Sequence, residues 1–269
     1  MNWIKIGGYV LIILPTLFIG IVIGFYLIQD YMIFLGEKLP LNHKYNFKAP
    51  FEELNFNLPG GHTINALLFR SKESRGLIFY HHGNAGNLQS WGNFAPNFLR
   101  LNFDVLFYDY RGYGKSTGKI KKQHHLINDA AFIYNEIKRN NEYNKIIFYG
   151  NSLGTGIASK LAVMHRPDAL ILESPYFNFC DLVHYHYPYL PSKIMSKYKL
   201  RTDKFIVKID CPIMLLHGTD DKIVPYNSSV RLSEIKNGIT FITIKNGVHN
   251  NLPEFELYHK ELDKFLKFI

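Results

Sequence analysis

Residues 148–156 read "FYGNSLGTG", and this stretch is the most informative in the sequence for fold and function. Ser152 stands between Gly150 and Gly154, after the apolar run "KIIFYG" and at the start of a helical pattern that ends at His165. A strand that turns sharply into a helix holds such a serine in a strained conformation, with its hydroxyl above the sheet. The glycines lack Cβ atoms, so strand and helix can approach closely. The pattern predicts a nucleophile elbow at Ser152 rather than a helix-capping serine.

From about residue 50 the chain alternates strand-like and helix-like segments. Two runs around "PGG" predict a hairpin, and the later apolar runs "GLIFYHH", "FDVLFYD", "KIIFYG", "ALILE", "PIMLLHG" and "TFITI" predict buried strands. A helix capped by Asn87 is expected over "LQSWGNFAPNFLRL". The predicted fold class is α/β, a mostly parallel sheet of roughly eight strands with helices on both faces. Functional groups should therefore lie at the carboxyl ends of the strands.

A serine hydroxyl needs a neighbouring base, and in this architecture the order along the chain is serine, acid, histidine. His249 follows the last strand-like run and is the predicted base. Asp220 and Asp221 both follow "PIMLLHG", and spacing alone leaves the choice between them open. Glu173, at the end of "ALILE", is an alternative acid.

The developing oxyanion of a tetrahedral intermediate needs backbone N–H donors. One is expected from Leu153, directly after the serine. The other is expected from the loop after "GLIFYHHG", where Asn84 is the candidate. His82 belongs to a His-Gly pair and is interpreted as a structural hydrogen-bonding residue, not as a base.

The motifs "HHGNAGN", "DYRGYGKSTG", "GNSLGTG", "HGTDDKIVP" and "GVHN" resemble those of α/β-hydrolase-fold serine hydrolases in order and spacing, over roughly residues 50–268. The chain is similar to a membrane-anchored branch described as serine aminopeptidase-like, which includes acyl-protein thioesterase-type enzymes. The resemblance implies hydrolysis of an ester, thioester or amide through a Ser-His-Asp triad and an acyl-enzyme. It favours Asp221 as the acid, since the family's acid usually stands four residues before a proline, here Pro225. It also implies that Asp109 is structural.

The N-terminal segment has no charged residue over 6–28, and a helix of this length spans about 34 Å, enough for the hydrocarbon core of a bilayer. A cleaved signal peptide would have a shorter apolar region followed by a small-x-small site. The sequence predicts an uncleaved transmembrane anchor over 1–30, outside the catalytic unit, and a linker over 31–49. The side of the membrane stays open. Lys5 and the amino terminus lie before the apolar segment, and Lys38, Lys44 and Lys48 lie after it, offset by Asp30 and Glu37, which gives a slight preference for a cytoplasmic C-terminal domain.

The hydrolase domain is predicted over 50–269, with a small lid insert at about 176–210. The first half of the insert is rich in Tyr, Phe and His, which suits an apolar acyl pocket. Its second half carries a group of basic residues that face either solvent or anionic lipid headgroups. These residues are Lys193, Lys197, Lys199, Arg201, Lys204 and Lys208.

Composition excludes several classes of protein. The net charge is +9, but there is no nucleic-acid-binding motif, so surface lysines explain the charge. Cys180 and Cys211 are the only cysteines, which excludes a disulfide framework and zinc spacing. His184 and His186 form an H-x-H pair, but no carboxylate or cysteine completes a metal ligand set with them, and no phosphate-binding or dinucleotide motif is present. We expect no metal, no cofactor and no nucleic acid, and the sequence leaves the oligomeric state open.

The leading interpretation is a membrane-anchored serine hydrolase that acts on acyl esters or thioesters. An aminopeptidase or amidase on the same fold is an alternative. It would need an acidic pocket for a free amino group, and the insert before its lysines offers only Asp181. A non-catalytic binding protein is a further alternative. Its sign would be loss of the nucleophile, base or acid, and all three are present.

Overall fold

The computed structural model describes residues 3–140 and 142–269. Within these ranges an eight-stranded sheet has the order β1-β2-β4-β3-β5-β6-β7-β8. The strands are β1 (Phe51–Leu58), β2 (His62–Phe69), β3 (Leu77–His81), β4 (Asp104–Tyr108), β5 (Ile146–Asn151), β6 (Ala169–Glu173), β7 (Ile213–Gly218) and β8 (Thr240–Ile244). The pairs β1–β2 and β2–β4 are antiparallel, and all other neighbours are parallel. The predicted α/β fold class is confirmed.

Helices cover both faces of the sheet. They are α1 (Trp3–Ile33), α2 (Leu88–Trp91), α3 (Pro96–Leu99), α4 (Gln123–Arg139), α5 (Leu153–His165), α6 (Phe179–His186), α7 (Ser192–Met195), α8 (Thr202–Ile206), α9 (Asn227–Ile235) and α10 (Glu256–Phe268), with 3-10 turns at Gly92–Phe94 and Leu252–Glu254. Apolar residues of α4, α5, α8 and α9 pack on one face, and those of α2, α3 and α10 pack on the other.

The central strands are apolar on both faces because both faces are covered. In β5, Ile146 and Phe148 belong to one hydrophobic cluster, and Ile147 and Tyr149 belong to the other. Successive side chains of a strand point to opposite faces, so an uninterrupted apolar run fills two cores. This arrangement places the carboxyl end of β5, and with it Ser152, in the middle of the sheet edge.

The helix expected after Asn87 is broken into short pieces. The Asn87 side chain accepts the Gln89 N–H at 2.9 Å, as a helix cap should. However, α2 ends at Trp91 and α3 begins only at Pro96. A Cβ on Gly92, which follows α2, would lie 2.5 Å from the Phe47 ring, so the lack of a side chain at Gly92 lets this aromatic ring pack closely. The lid insert is likewise built of three short helices, α6, α7 and α8.

Helix α1 contains one segment, Leu11–Ile33, that is long and apolar enough to cross a membrane. The side chains over 11–21 are all exposed. Near its C-terminal end the helix contacts the rest of the protein, and Gln29 is only 7% exposed. The preference in membrane orientation rests partly on the amino terminus, and residues 1–2 lie outside the described residues.

The segment between α1 and β1 lies on the hydrolase domain. Leu35–Gly36 pairs in parallel with Ala85–Gly86, which follows β3. Tyr45 is buried, and its hydroxyl donates to Asn65 Oδ1 at 2.8 Å. The predicted domain boundaries at residues 30 and 50 stay a prediction.

Candidate active site

Ser152 connects β5 to α5 with φ 49° and ψ −113°, a conformation that L-residues rarely adopt. Its N–H donates to the Glu173 carbonyl at 2.9 Å. A Cβ on Gly150 would lie 2.7 Å from the Gly154 carbonyl oxygen, and a Cβ on Gly154 would lie 1.9 Å from the His81 carbonyl oxygen. Both flanking glycines are therefore needed for the close approach of strand and helix.

His249 lies between Ser152 and Asp221. Its Nε2 is 2.9 Å from Ser152 Oγ, and its Nδ1 is 2.7 Å from Asp221 Oδ2. An ionised carboxylate can only accept, so Nδ1 carries the ring proton and Nε2 is left to accept the serine proton. The structure thus brings together the three residues predicted as nucleophile, base and acid. Their catalytic roles stay a prediction.

Asp221 is held in place by four hydrogen-bonding groups. Its Oδ1 accepts the N–H groups of Ile223 and Val224, both at 2.8 Å. Its Oδ2 faces His249 and also His217 Nε2, at 3.2 Å. Burial raises the pKa of a carboxyl, but the hydrogen bonds from His217 and His249 outweigh burial and hold the pKa of Asp221 well below its usual range. Asp221 is therefore ionised at neutral pH.

The sequence reading missed His217. Its Nε2 faces two acceptors, Asp221 Oδ2 and the Val224 carbonyl at 3.0 Å, so this nitrogen carries the proton. Its Nδ1 is 2.6 Å from Ser229 Oγ, which fixes the ring from the other side. The signal was the His-Gly pair four residues before the acid.

Neither of the two alternative acids forms a hydrogen bond with His249, whose ring nitrogens face Asp221 and Ser152. Asp220 is exposed, and its Oδ1 accepts the Thr219 hydroxyl at 2.9 Å. Glu173 is buried beneath the elbow, and its carboxylate accepts from the Tyr149 hydroxyl. Burial raises the pKa of Glu173, although the hydrogen bonds from Tyr149 and Asn151 oppose the shift. The geometry favours Asp221 over both.

The two predicted oxyanion donors lie at the same cavity as Ser152. Leu153 is the first residue of α5, and N–H groups in a first turn have no acceptor within the helix. His82 Nδ1 is 2.7 Å from the Gly83 carbonyl. In a trans peptide the C=O and the following N–H point in opposite directions, so this bond sets the direction of the Asn84 N–H. The oxyanion roles of Asn84 and Leu153 stay a prediction.

The loop at Asn84 is supported from two further sides. The Asn84 carbonyl accepts the Leu35 N–H at 2.9 Å and the Tyr113 hydroxyl at 2.7 Å. Burial lowers the pKa of His82 to about 4, so the ring is neutral and its Nδ1 proton is committed to Gly83. Asp109 Oδ1 lies behind this ring, 3.6 Å from His82 Nε2. Hydrogen bonds from His82, Leu35 and Tyr113 therefore hold this loop.

Ser152 opens into a cavity of about 310 Å³. Its walls come mainly from the lid insert and from α1, including Phe179, Val183, Tyr187, Phe25 and Met32. None of its lining residues in the described ranges is Asp or Glu. Within residues 3–140 and 142–269, no group of His, Cys, Asp and Glu side chains could hold a metal ion.

Sequence comparison finds relatives over most of the chain. An uncharacterized protein of Acanthamoeba polyphaga mimivirus is 32% identical over 233 residues, which cover 76% of this chain and 78% of that protein. The family model described as "Serine aminopeptidase, S33" matches residues 72–204. The chain belongs to this family of α/β hydrolases. The predicted family is confirmed.

Two further comparisons add a named relative and a solved structure. The lysophosphatidylserine lipase ABHD12 of Danio rerio is 31% identical over 230 residues. The match covers 72% of this chain but only 59% of the length of that lipase. An esterase structure from Pyrococcus furiosus superposes with a TM-score of 0.68 at 15% identity, covering 87% of this chain and 97% of the esterase. This likeness shows the shared fold.

Proposed function

We propose that this protein is a membrane-anchored serine hydrolase that cleaves a carboxylic ester or thioester through an acyl-enzyme. One observation carries the proposal. Ser152, His249 and Asp221 form a continuous hydrogen-bonded chain, with distances of 2.9 and 2.7 Å, at an apolar cavity. A base in contact with a serine, and itself oriented by a carboxylate, is the arrangement that activates a serine hydroxyl.

In the first step His249 Nε2 takes the Ser152 proton while Oγ attacks the acyl carbon. The carbonyl oxygen becomes an oxyanion that faces the N–H groups of Leu153 and Asn84. When the intermediate collapses, the bond to the leaving oxygen or sulfur breaks and His249 returns the proton to it. Asp221 stabilises the positive imidazolium that exists between these two proton transfers.

In the second step water hydrolyses the acyl-enzyme. His249 Nε2 removes a proton from the water as its oxygen attacks the acyl carbon. The second tetrahedral intermediate collapses, the bond to Ser152 Oγ breaks, and His249 gives the proton back to Oγ. The products are the carboxylic acid and the free enzyme.

The cavity supports esters over aminoacyl substrates. A free amino group would need an acidic partner, and the lining residues in the described ranges include no carboxylate. Apolar walls fit an acyl chain. The name of the zebrafish relative points to lipid esters as a substrate class to test.

Helix α1 supports membrane anchoring. Its apolar segment of 23 residues is long enough to span the hydrocarbon core, and side chains over 11–21 have no protein partner to bury them. We propose a single-pass anchor at the N-terminus of the chain.

The test is covalent labelling of the full-length protein with a fluorophosphonate probe. Wild type should be labelled, and Ser152→Ala should lose both labelling and turnover of p-nitrophenyl esters. Ser159→Ala is a matched control, because this buried serine on α5 donates to the Thr155 carbonyl at 2.7 Å and does not line the cavity. Equal labelling of Ser152→Ala, or faster cleavage of alanine anilide than of butyrate ester, would overturn the proposal.

A further inference from the structure

Helix α1 forms one wall of the cavity at Ser152. Phe25, Gln29 and Met32 line this cavity, and they are four and seven residues apart, so they share one face of the helix. The Phe25 ring lies 5.4 Å from the Tyr187 ring of the lid insert. The pocket is therefore bounded by a helix whose other face is apolar and exposed.

The lid insert is attached to α1 by buried polar contacts. Gln29 Nε2 donates to the Met195 carbonyl at 3.2 Å, and Gln29 Oε1 accepts the Lys197 N–H at 2.8 Å. Asp30 accepts from Lys197 Nζ at 3.1 Å and from the Tyr198 hydroxyl at 2.9 Å. We refer to these contacts of Gln29 and Asp30 as the α1–lid seam.

The same helix end also contacts the loop that carries a predicted oxyanion donor. Asn84 Nδ2 donates to the Ile33 carbonyl at 3.2 Å. Two residues past α1, the Leu35 N–H donates to the Asn84 carbonyl. The C-terminal end of α1 therefore contacts the lid insert, the pocket and the loop at Asn84.

The position of the seam sets the depth of this pocket wall in the membrane. Asp30 and Lys197 form an ion pair, which belongs at the level of the headgroups rather than in hydrocarbon. Phe25 lies five residues earlier, about 7.5 Å further along the helix toward its apolar middle. The contact between the Phe25 and Tyr187 rings therefore lies on the hydrocarbon side of the headgroups when α1 spans a bilayer, so this wall of the pocket faces lipid.

The exposed surface of the lid insert suits contact with a bilayer. Tyr189 and Ile194 are 89% and 84% exposed, and Tyr185 is 53% exposed. Tyrosine is enriched at membrane interfaces, and the neighbouring Lys193 can meet anionic headgroups. Lys193 and Ile194 belong to α7, and the carbonyl of Met195 in the same helix accepts from Gln29 of α1.

From these contacts we infer that the acyl chain of the substrate enters laterally from the bilayer, between α1 and α6, and that Phe25 and Met32 determine which acyl chains fit. The inference rests on the proposed function. It makes the membrane helix a specificity-determining part of the active site, and the substrate a bilayer-resident acyl ester.

The first experiment uses full-length protein in lipid nanodiscs with p-nitrophenyl butyrate, octanoate and palmitate. Met32→Trp should lower the palmitate-to-butyrate ratio of kcat/KM by about tenfold, because added bulk in an apolar pocket rejects a longer chain. Met32→Ala should raise the palmitate-to-butyrate ratio of kcat/KM. The matched controls are Leu27→Trp and Leu27→Ala, because Leu27 is 63% exposed and lies about 200° around the helix from Phe25.

Three results are distinguishable. A shifted ratio in the Met32 variants alone, with normal fluorophosphonate labelling of Ser152, supports the inference. Unchanged ratios in the Met32 variants, or equal shifts in the Leu27 variants, overturn it while the proposed hydrolase activity stands. Absence of labelling and turnover in wild type overturns the proposed function itself.

The second experiment tests lateral entry. Ile194→Asp should lower the turnover rate of a fluorogenic acyl ester embedded in the nanodisc by about fivefold or more. The reason is that a charge at the interface opposes insertion of the lid surface. It should leave soluble p-nitrophenyl butyrate unaffected. Val207→Asp is the control, because Val207 is 47% exposed and lies outside the cavity lining. Equal effects on both substrates, or equal effects of both variants, would exclude entry through this surface.

Discussion

Asp220 and Asp221 are adjacent, but their carboxylates have different surroundings. Asp221 is 6% exposed and contacts His249 at 2.7 Å. Asp220 is exposed and accepts from the Thr219 hydroxyl, while its own N–H donates to the Gly247 carbonyl at 2.9 Å. Only one of the two carboxylates can therefore orient the imidazole.

We expect Asp221→Asn to lower kcat by about three to four orders of magnitude, because the acid fixes the His249 tautomer and stabilises the imidazolium. Asp220→Asn is the matched control and should leave kcat nearly unchanged. The measurement is kcat on one ester for each variant, with the melting temperature to verify folding. An inactive Asp220→Asn with a nearly normal Asp221→Asn would reverse the assignment.

A second prediction concerns the loop at Asn84. His82→Phe keeps an aromatic ring but removes the N–H that bonds to the Gly83 carbonyl, so the Asn84 N–H loses its fixed direction. We expect kcat to fall by about tenfold to a hundredfold with little change in KM, somewhat less than for removal of an oxyanion donor. His81→Phe is the control, because His81 bonds to the Tyr108 hydroxyl at 2.8 Å and not to this loop. Equal kcat values for the two variants would argue against a positioning role.

Glu173 gives a prediction about pH. Burial raises its pKa in the folded state above the unfolded value of about 4.3. The folded protein thus holds this proton more tightly, so the contribution of Glu173 to stability falls as pH rises from about 4.3 through the folded pKa. Glu173→Gln removes this loss. The melting temperature of Glu173→Gln minus that of wild type should therefore increase with pH over that range. For the control Glu234→Gln, at an exposed residue, this difference should not change with pH. A constant difference would contradict a raised pKa.

The sequence predicted those parts of the site that depend on local pattern and chain order. The elbow follows from glycine spacing around Ser152, because the strand, turn and helix are adjacent in the chain. The role of His249 as the base was predicted from its position after the last strand. The choice between Asp220 and Asp221 was left open by spacing and needed the family resemblance, because adjacent residues in a turn differ only in side-chain direction.

The part that sequence could not predict consists of contacts between distant segments. Gln29 and Lys197 are 168 residues apart, and no periodicity connects an apolar N-terminal helix to an insert in the hydrolase domain. Hydropathy predicted an anchor outside the catalytic unit. The structure places Phe25 and Gln29 of that helix in the wall of the pocket. Hydropathy gives the residue types of the helix, but it does not show which face of the helix packs against the rest of the protein.

The last prediction concerns the α1–lid seam. Gln29→Ala would leave the Met195 carbonyl and the Lys197 N–H without their partner, and an unpaired buried group costs about 1 to 3 kcal/mol. The lid insert should then open more often, so trypsin should cleave after exposed Lys193 and Lys199 faster than in wild type. KM for a long-chain ester should rise, while kcat for p-nitrophenyl butyrate should change little. Tyr31→Ala is the control, because Tyr31 is 77% exposed on the same turn of the helix. Equal rates of tryptic cleavage in Gln29→Ala, Tyr31→Ala and wild type would show that Gln29 does not hold the lid on α1.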